Sequence, residues 1–232
     1  VPGLVGLVGS GEYLHEMAPI EAELLHGGDR YVQIPTAAAL EGPERLRYWI
    51  DLGARQAARL GVEAVTLPVT SRAEADDPAI AARVRGADLI YLSGGNPRYL
   101  ADCLRGTRLL AAICEAWQGG ASLAGCSAGA MVLGSWIPGV GRGRHEGAPG
   151  LEVLPGIAVV PHFDRFVPRP AGPVLRLAVS PPAGVALMGI DELTALVGTW
   201  PRLVVKGRGR VVELSPRPWR VHRAGEELAL DT

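Results

Sequence analysis

The chain has a single lysine, Lys206, and three cysteines, none of them in a C-x-x-C pair. Cys103, Cys114 and Cys126 leave an odd count, which argues against a disulfide framework and for a reducing compartment, the cytoplasm. No apolar run approaches the roughly 18 residues of a membrane span. Arginines and acids nearly balance, for a net charge of −1, so there is neither a basic footprint for nucleic acid nor a basic arm for a membrane. Internal repeats and interdomain linkers are missing too. There is no H-E-x-x-H, and the His-Asp spacing of "HFD" alone makes no metal site. The opening "VPGLVGLVGSG" lacks a basic n-region and reads as a buried strand rather than a signal peptide.

What remains is a chain of 232 residues, 48% hydrophobic, large enough for one domain, 1–232, with a substantial core. Its first half alternates apolar strands with helical patterns. The strands are "GLVGLVG" (3–9), "YVQIPT" (31–36), "VEAVTLPV" (62–69), "ADLIYLSGG" (87–95) and "ASLAG" (121–125). Between them lie "HEMAPIEAELLHGG", the amphipathic "GPERLRYWIDLGARQAARLG", and helical segments over 72–85 and 97–119. Strands that are apolar along their length and separated by helices predict an α/β three-layer sandwich, its mostly parallel sheet covered on both faces. Ligands bind beyond the carboxyl ends of such strands, which is where the loops at 9–12, 93–97 and 125–129 fall. After residue 135 a glycine-rich loop, "WIPGVGRGRHEGAPG", precedes the strand "IAVV". Consecutive short strands then follow, with Gly207-Arg208-Gly209 read as a hairpin turn and an antiparallel extension at the sheet edge.

The chemistry centres on "LAGCSAGAMVLG" (123–134). A residue on a sharp strand-to-helix turn leaves no room for side chains two positions either way, so G-x-S-x-G suits a nucleophile elbow with Ser127 at its tip. A serine N-cap in an ordinary turn fits the same pentapeptide. Serine is a weak nucleophile until a base takes its proton, and that base needs an orienting carboxylate. Among the five histidines, His26 and His222 sit in polar settings, His15 near the first loop and His145 in the glycine-rich loop. His162, just past "IAVV" in "PHFDRF", is the candidate base. The residues leave the acid open among Asp164, Asp191 and Glu192. "GSGEYL" imitates a dinucleotide fingerprint, but Leu14 stands in place of its third glycine. Cys126 lies one residue out of register with the elbow tip and reads as a small buried hydrophobe.

"GSGE" (9–12), "IPTAAA" (34–39), "YLSGGNPRYL" (91–100), "AGCSAGAMVLG" (124–134), "PHFD" (161–164) and "GIDELTALV" (189–197) occur in one order. In them the chain resembles the dipeptidase E (aspartyl dipeptidase) and cyanophycinase family of serine peptidases, which has the class I glutamine amidotransferase-like fold. The resemblance implies a catalytic triad of Ser127, His162 and Glu192, an order unlike the Ser…Asp/Glu…His of α/β-hydrolases. It also implies an oxyanion hole from the N–H of Ala128 and that of Gly95 or, failing that, Gly94. Asn96 either contacts substrate or caps the following helix. Arg98 and Arg165 are the candidate cations for a substrate carboxylate. The resemblance implies hydrolysis of small peptides with an N-terminal aspartate, by a monomer or homodimer that needs no metal or organic cofactor. The alternatives are β-aspartyl-arginine links, as in cyanophycinases, or a non-catalytic binding member of the fold.

Overall fold

A computed structural model describes residues 1–139, 146–166, 181–215 and 218–230. Five strands lie parallel in the order β3-β2-β4-β5-β1: β1 (Val5–Val8), β2 (Arg30–Ile34), β3 (Glu63–Thr66), β4 (Leu89–Leu92) and β5 (Ser122–Cys126). A short ribbon pairs β6 (Trp136–Ile137) with β7 (Ala148–Pro149). The remaining strands are β8 (Ile157–Val160), β9 (Ala186–Ile190), β10 (Thr194–Thr199), β11 (Arg202–Gly207), β12 (Arg210–Ser215), β13 (Arg220–Arg223) and β14 (Glu227–Ala229). β10, β11 and β14 extend the parallel sheet antiparallel beyond β1. A second sheet has the order β13-β12-β9-β8, with β8 and β9 parallel and the other pairs antiparallel.

The helices are α1 (Ala18–Leu25), α2 (Pro43–Leu60), α3 (Arg72–Ala75), α4 (Pro78–Ala82), α5 (Pro97–Leu104), α6 (Arg108–Gln118), α7 (Ala128–Leu133) and α8 (Phe163–Phe166). Because side chains alternate along a strand, the main sheet feeds two cores. Val5, Leu7, Val32, Ile34, Ile90, Leu92 and Leu123 meet Leu100, Leu104, Leu109 and Ile113 of α5 and α6. Val8, Tyr31, Leu89, Tyr91 and Ala124 meet Ile20, Leu24 and Ala57 of α1 and α2 on the other face. Helices thus cover both faces, as the unbroken apolar strands require. α2 starts at a proline and stops at Gly61, whose φ of 74° is left-handed.

Two sequence readings change. Gly207-Arg208-Gly209 does not close a hairpin: β11 belongs to the main sheet and β12 to the second, so this turn carries the chain between sheets. The hairpin is instead β10–β11, registered from Thr194↔Gly207 to Thr199↔Arg202. The strand expected over 31–36 ends at Ile34, and Thr36–Glu41 winds as a 3-10 helix. Part of the glycine-rich loop, including His145, lies outside the described residues.

The second core holds a buried acid. Glu21 of α1 accepts from the Tyr31 hydroxyl at 3.1 Å. Burial pushes its carboxyl from the ordinary 4.5 up to about 7, against the lowering effect of Gln56 and Tyr31. A raised carboxyl favours the folded state while protonated, and that advantage drains as pH rises from the unfolded value through about 7. Glu21→Gln should therefore lose less stability between pH 5 and pH 8 than the parent, by roughly 3 kcal/mol. Urea unfolding at the two pH values checks this; equal losses in both proteins would contradict it.

Candidate active site

Ser127 follows the carboxyl end of β5 and precedes α7 at φ 50°, ψ −109°, a conformation that costs a non-glycine residue roughly 1–3 kcal/mol. Its N–H is anchored to the Val8 carbonyl at 2.9 Å, and its carbonyl accepts the Met131 N–H at 3.0 Å. The expected crowding is present. A Cβ on Gly125 would lie 2.3 Å from the Gly129 carbonyl carbon, and one on Gly129 would lie 2.1 Å from the Leu92 oxygen. The elbow is pressed against β4, and only hydrogens fit between.

The second sheet supplies the partners. β8 ends at Val160, and His162 turns back at φ 51° with its N–H on the Gly9 carbonyl at 3.3 Å. Its Nε2 lies 3.1 Å from Ser127 Oγ and its Nδ1 lies 2.9 Å from Glu192 Oε1. A carboxylate accepts only, so Nδ1 carries the proton and Nε2 is left to accept the serine's. Glu192 sits where the chain leaves β9 for β10, so it spans the two sheets. Arg165 donates through Nε to Glu192 Oε2 at 3.0 Å, and the Glu192 backbone N–H donates to Asp164 Oδ1 at 2.9 Å. The bond from His162, aided by Arg165 and opposed by partial burial, holds the Glu192 carboxyl below the ordinary carboxylate range. The imidazole and carboxylate side chains remain 37% and 27% exposed, open enough for a substrate to reach them.

The other two acids are placed elsewhere. Asp164 touches the Glu192 backbone rather than the ring. Asp191, 2% exposed, turns towards Arg210, whose N–H and Nε donate to its Oδ2 at 3.2 and 3.3 Å. Burial raises its carboxyl despite Arg210.

Beyond β4 the backbone N–H groups are committed one by one. Ser93 donates to the Ile34 carbonyl, Gly94 to Glu12 Oε1 at 2.9 Å, and Asn96 to the Ala37 carbonyl at 2.8 Å. Gly94 is therefore already engaged. Among the described residues, the N–H groups of Gly95 and Ala128 have no acceptor. Gly95 needs to be glycine, since its φ is 138° and a Cβ would lie 2.4 Å from the Ala37 oxygen.

The remaining polar candidates make structural contacts. Asn96 caps α5, its Oδ1 accepting from the Tyr99 N–H at 3.0 Å. The Arg98 guanidinium donates to the Glu146 carbonyl, and Arg165 is paired to Glu192. Cys126 is buried but not merely apolar, because its Sγ donates to Glu12 Oε2 at 2.8 Å. Glu12, 8% exposed, went unnoticed in sequence. Its signal is an acid in the short loop after a buried strand, within the "GSGE" that carries the family resemblance. Among the described residues no cluster of His, Cys, Asp and Glu is disposed to hold a metal ion.

A hydroxyl, an imidazole and a carboxylate hydrogen-bonded in series on an α/β frame are the attributes of serine-type hydrolases. The chain belongs to peptidase family S51, a family of serine-type peptidases, whose sequence pattern matches residues 5–199. It is similar to a cyanophycinase of Synechococcus elongatus, 35% identical over 168 residues, covering 68% of this chain and 51% of that protein. A cyanophycinase of Trichormus variabilis is 29% identical over 197 residues, 79% of this chain and 62% of that one. The chain thus spans about half to three-fifths of these relatives. A solved structure of a peptidase from an acI-B1 Actinobacterium is 41% identical with a TM-score of 0.88, covering 99% of this chain and 97% of that one. The fold is also shared with a candidate peptidase E of Listeria monocytogenes, at 19% identity and a TM-score of 0.64, covering 90% and 100%. No helix among the described residues is long and apolar enough to cross a membrane.

Proposed function

We propose that this chain is a serine peptidase that cleaves an amide bond in small peptides. The carrying observation is the series Ser127 Oγ, His162 Nε2, His162 Nδ1 and Glu192 Oε1, with separations of 3.1 and 2.9 Å. Ser127 attacks the carbonyl carbon while His162 takes its proton. The imidazolium so formed is stabilised by Glu192 and returns the proton to the leaving amine. The N–H groups of Gly95 and Ala128 meet the oxyanion. Water then releases the acyl group by the same route. Arg165 acts on Glu192 rather than on substrate, holding the carboxylate towards the ring.

For substrate we favour dipeptides with an N-terminal aspartate, the dipeptidase E-like reading. Its support is the run of motifs from "GSGE" to "GIDELTALV", which resembles dipeptidase E, together with 41% identity and a TM-score of 0.88 to a solved peptidase. The 35% identity to one of those cyanophycinases keeps a β-aspartyl-arginine substrate as the second reading. A panel of α-aspartyl, β-aspartyl, glutamyl and neutral dipeptides, followed by amine release, separates them. The α-aspartyl peptides should turn over at least tenfold faster in kcat/KM, a difference of about 1.4 kcal/mol. Fastest cleavage of β-aspartyl-arginine would replace the first reading with the second. Failure on every peptide would return the chain to a binding role.

A further inference from the structure

We infer that Glu12 and Tyr13 form a clamp that positions the oxyanion-binding backbone, making them positioning residues for the hydrolysis. The inference rests on the serine-peptidase reading. Both residues follow β1 in the loop beside the elbow, and both reach across to consecutive residues after β4. The Tyr13 hydroxyl lies 2.6 Å from Ser93 Oγ. The Glu12 carboxylate accepts the Gly94 N–H through Oε1 at 2.9 Å and the Cys126 thiol through Oε2 at 2.8 Å. One carboxylate therefore ties the residue before Gly95 to the residue before Ser127. Hydroxyl and loop are held in register by a group that touches neither substrate nor reacting atoms.

The space around Glu12 fits that role. A Cβ on Gly94 would come within 2.6 Å of Glu12 Oε1 and 3.4 Å of Ser127 Cβ, so the carboxylate and the nucleophile close on the same glycine. Tyr13 is 2% exposed with φ 65°, and its ring packs 5.4 Å from that of Tyr91. A backbone bent into that region at a bulky residue is held there by its surroundings. Of the four N–H groups from Ser93 to Asn96, the clamp, β2 and the 3-10 helix Thr36–Glu41 occupy three, and among the described residues that of Gly95 has no acceptor. A preset donor acts on the transition state because it needs no reorganisation when charge develops. Loosening the clamp should therefore lower kcat and spare KM.

The experiment uses the intact chain and its best dipeptide, with a peptidyl boronate whose tetrahedral adduct puts an oxygen where the oxyanion forms. Glu12→Ala should lower kcat about 100-fold, raise the boronate inhibition constant by a similar factor and leave KM within about threefold. Glu12→Gln keeps an acceptor for the Gly94 N–H and should recover to within about tenfold of the parent. Removing the orphaned thiol, in Glu12→Ala/Cys126→Ala, should give no recovery. If Glu12→Ala fails to fold, Tyr13→Phe decides alone: about a tenfold lower kcat at unchanged KM supports the clamp. Parental kcat in Tyr13→Phe, a loss confined to KM, or rescue by the second alanine would overturn it. Ser127→Ala is the control for the underlying reading. If Ser127→Ala is inactive and the clamp variants are as fast as the parent, the clamp alone is wrong. If Ser127→Ala still turns over, the serine reading is wrong.

Discussion

Ser127→Ala should lower kcat/KM by roughly 10⁴–10⁶-fold while leaving the fold intact. The variant removes the one atom that forms the acyl bond and keeps the donors and the substrate site. Its residual rate is what backbone donors and binding alone achieve. Glu192→Gln should cost nearly as much, about 10⁴-fold, for a different reason. Its length is unchanged, but an amide nitrogen turned towards His162 Nδ1 donates there. The ring proton then moves to Nε2, the atom that has to accept from Ser127. Both losses are read from amine release under saturating and limiting substrate. Glu192→Gln at parental speed would remove the carboxylate from the relay. Low pH gives the same dependence another face. The Glu192 carboxyl is held below its ordinary value, so the stability that it contributes is lost as pH falls from the ordinary carboxylate value through the depressed one.

Gly129→Ala should be strongly destabilising for so small a substitution. The added methyl would lie 2.1 Å from the Leu92 oxygen and 2.9 Å from the Leu92 Cβ. Neither is a flexible tip, since β4 is an interior strand between β2 and β5. Either the elbow lifts or β4 yields. Overpacking a rigid backbone in this way costs about 4 kcal/mol or more, which for a chain of this size lowers Tm by roughly 8–16 °C. A thermal melt followed by circular dichroism measures it. A shift under about 2 °C would mean that the elbow is not packed as described.

The contrast between these positions shows what was legible before the fold was known. Crowding at an elbow is local, so Gly125, Ser127 and Gly129 announced it in five residues. His162 was legible because an apolar strand ended beside it. The acid was not, because Asp191 and Glu192 are neighbours and their side chains diverge at the point where the chain passes between sheets. Asp191 goes to Arg210 and Glu192 to His162, and only the position of β12 decides which. The same long-range choice hid the fate of Gly207-Arg208-Gly209, where paired glycines mark a turn but not the sheet that the next strand joins. Glu12 was not singled out because its burial depends on β4 and β5, some eighty and more than a hundred residues away. Arg98 and Arg165 read equally as substrate contacts or surface charges until their acceptors were in view.

The central claim is that His162 makes one particular hydroxyl, that of Ser127, nucleophilic. Treating the protein with a fluorophosphonate and mapping the adduct by peptide mass spectrometry tests it most directly. The account predicts one adduct, on the peptide containing Ser127, that forms far more slowly in His162→Ala. An unmodified protein, an adduct on another residue, or labelling at an undiminished rate in His162→Ala would contradict it.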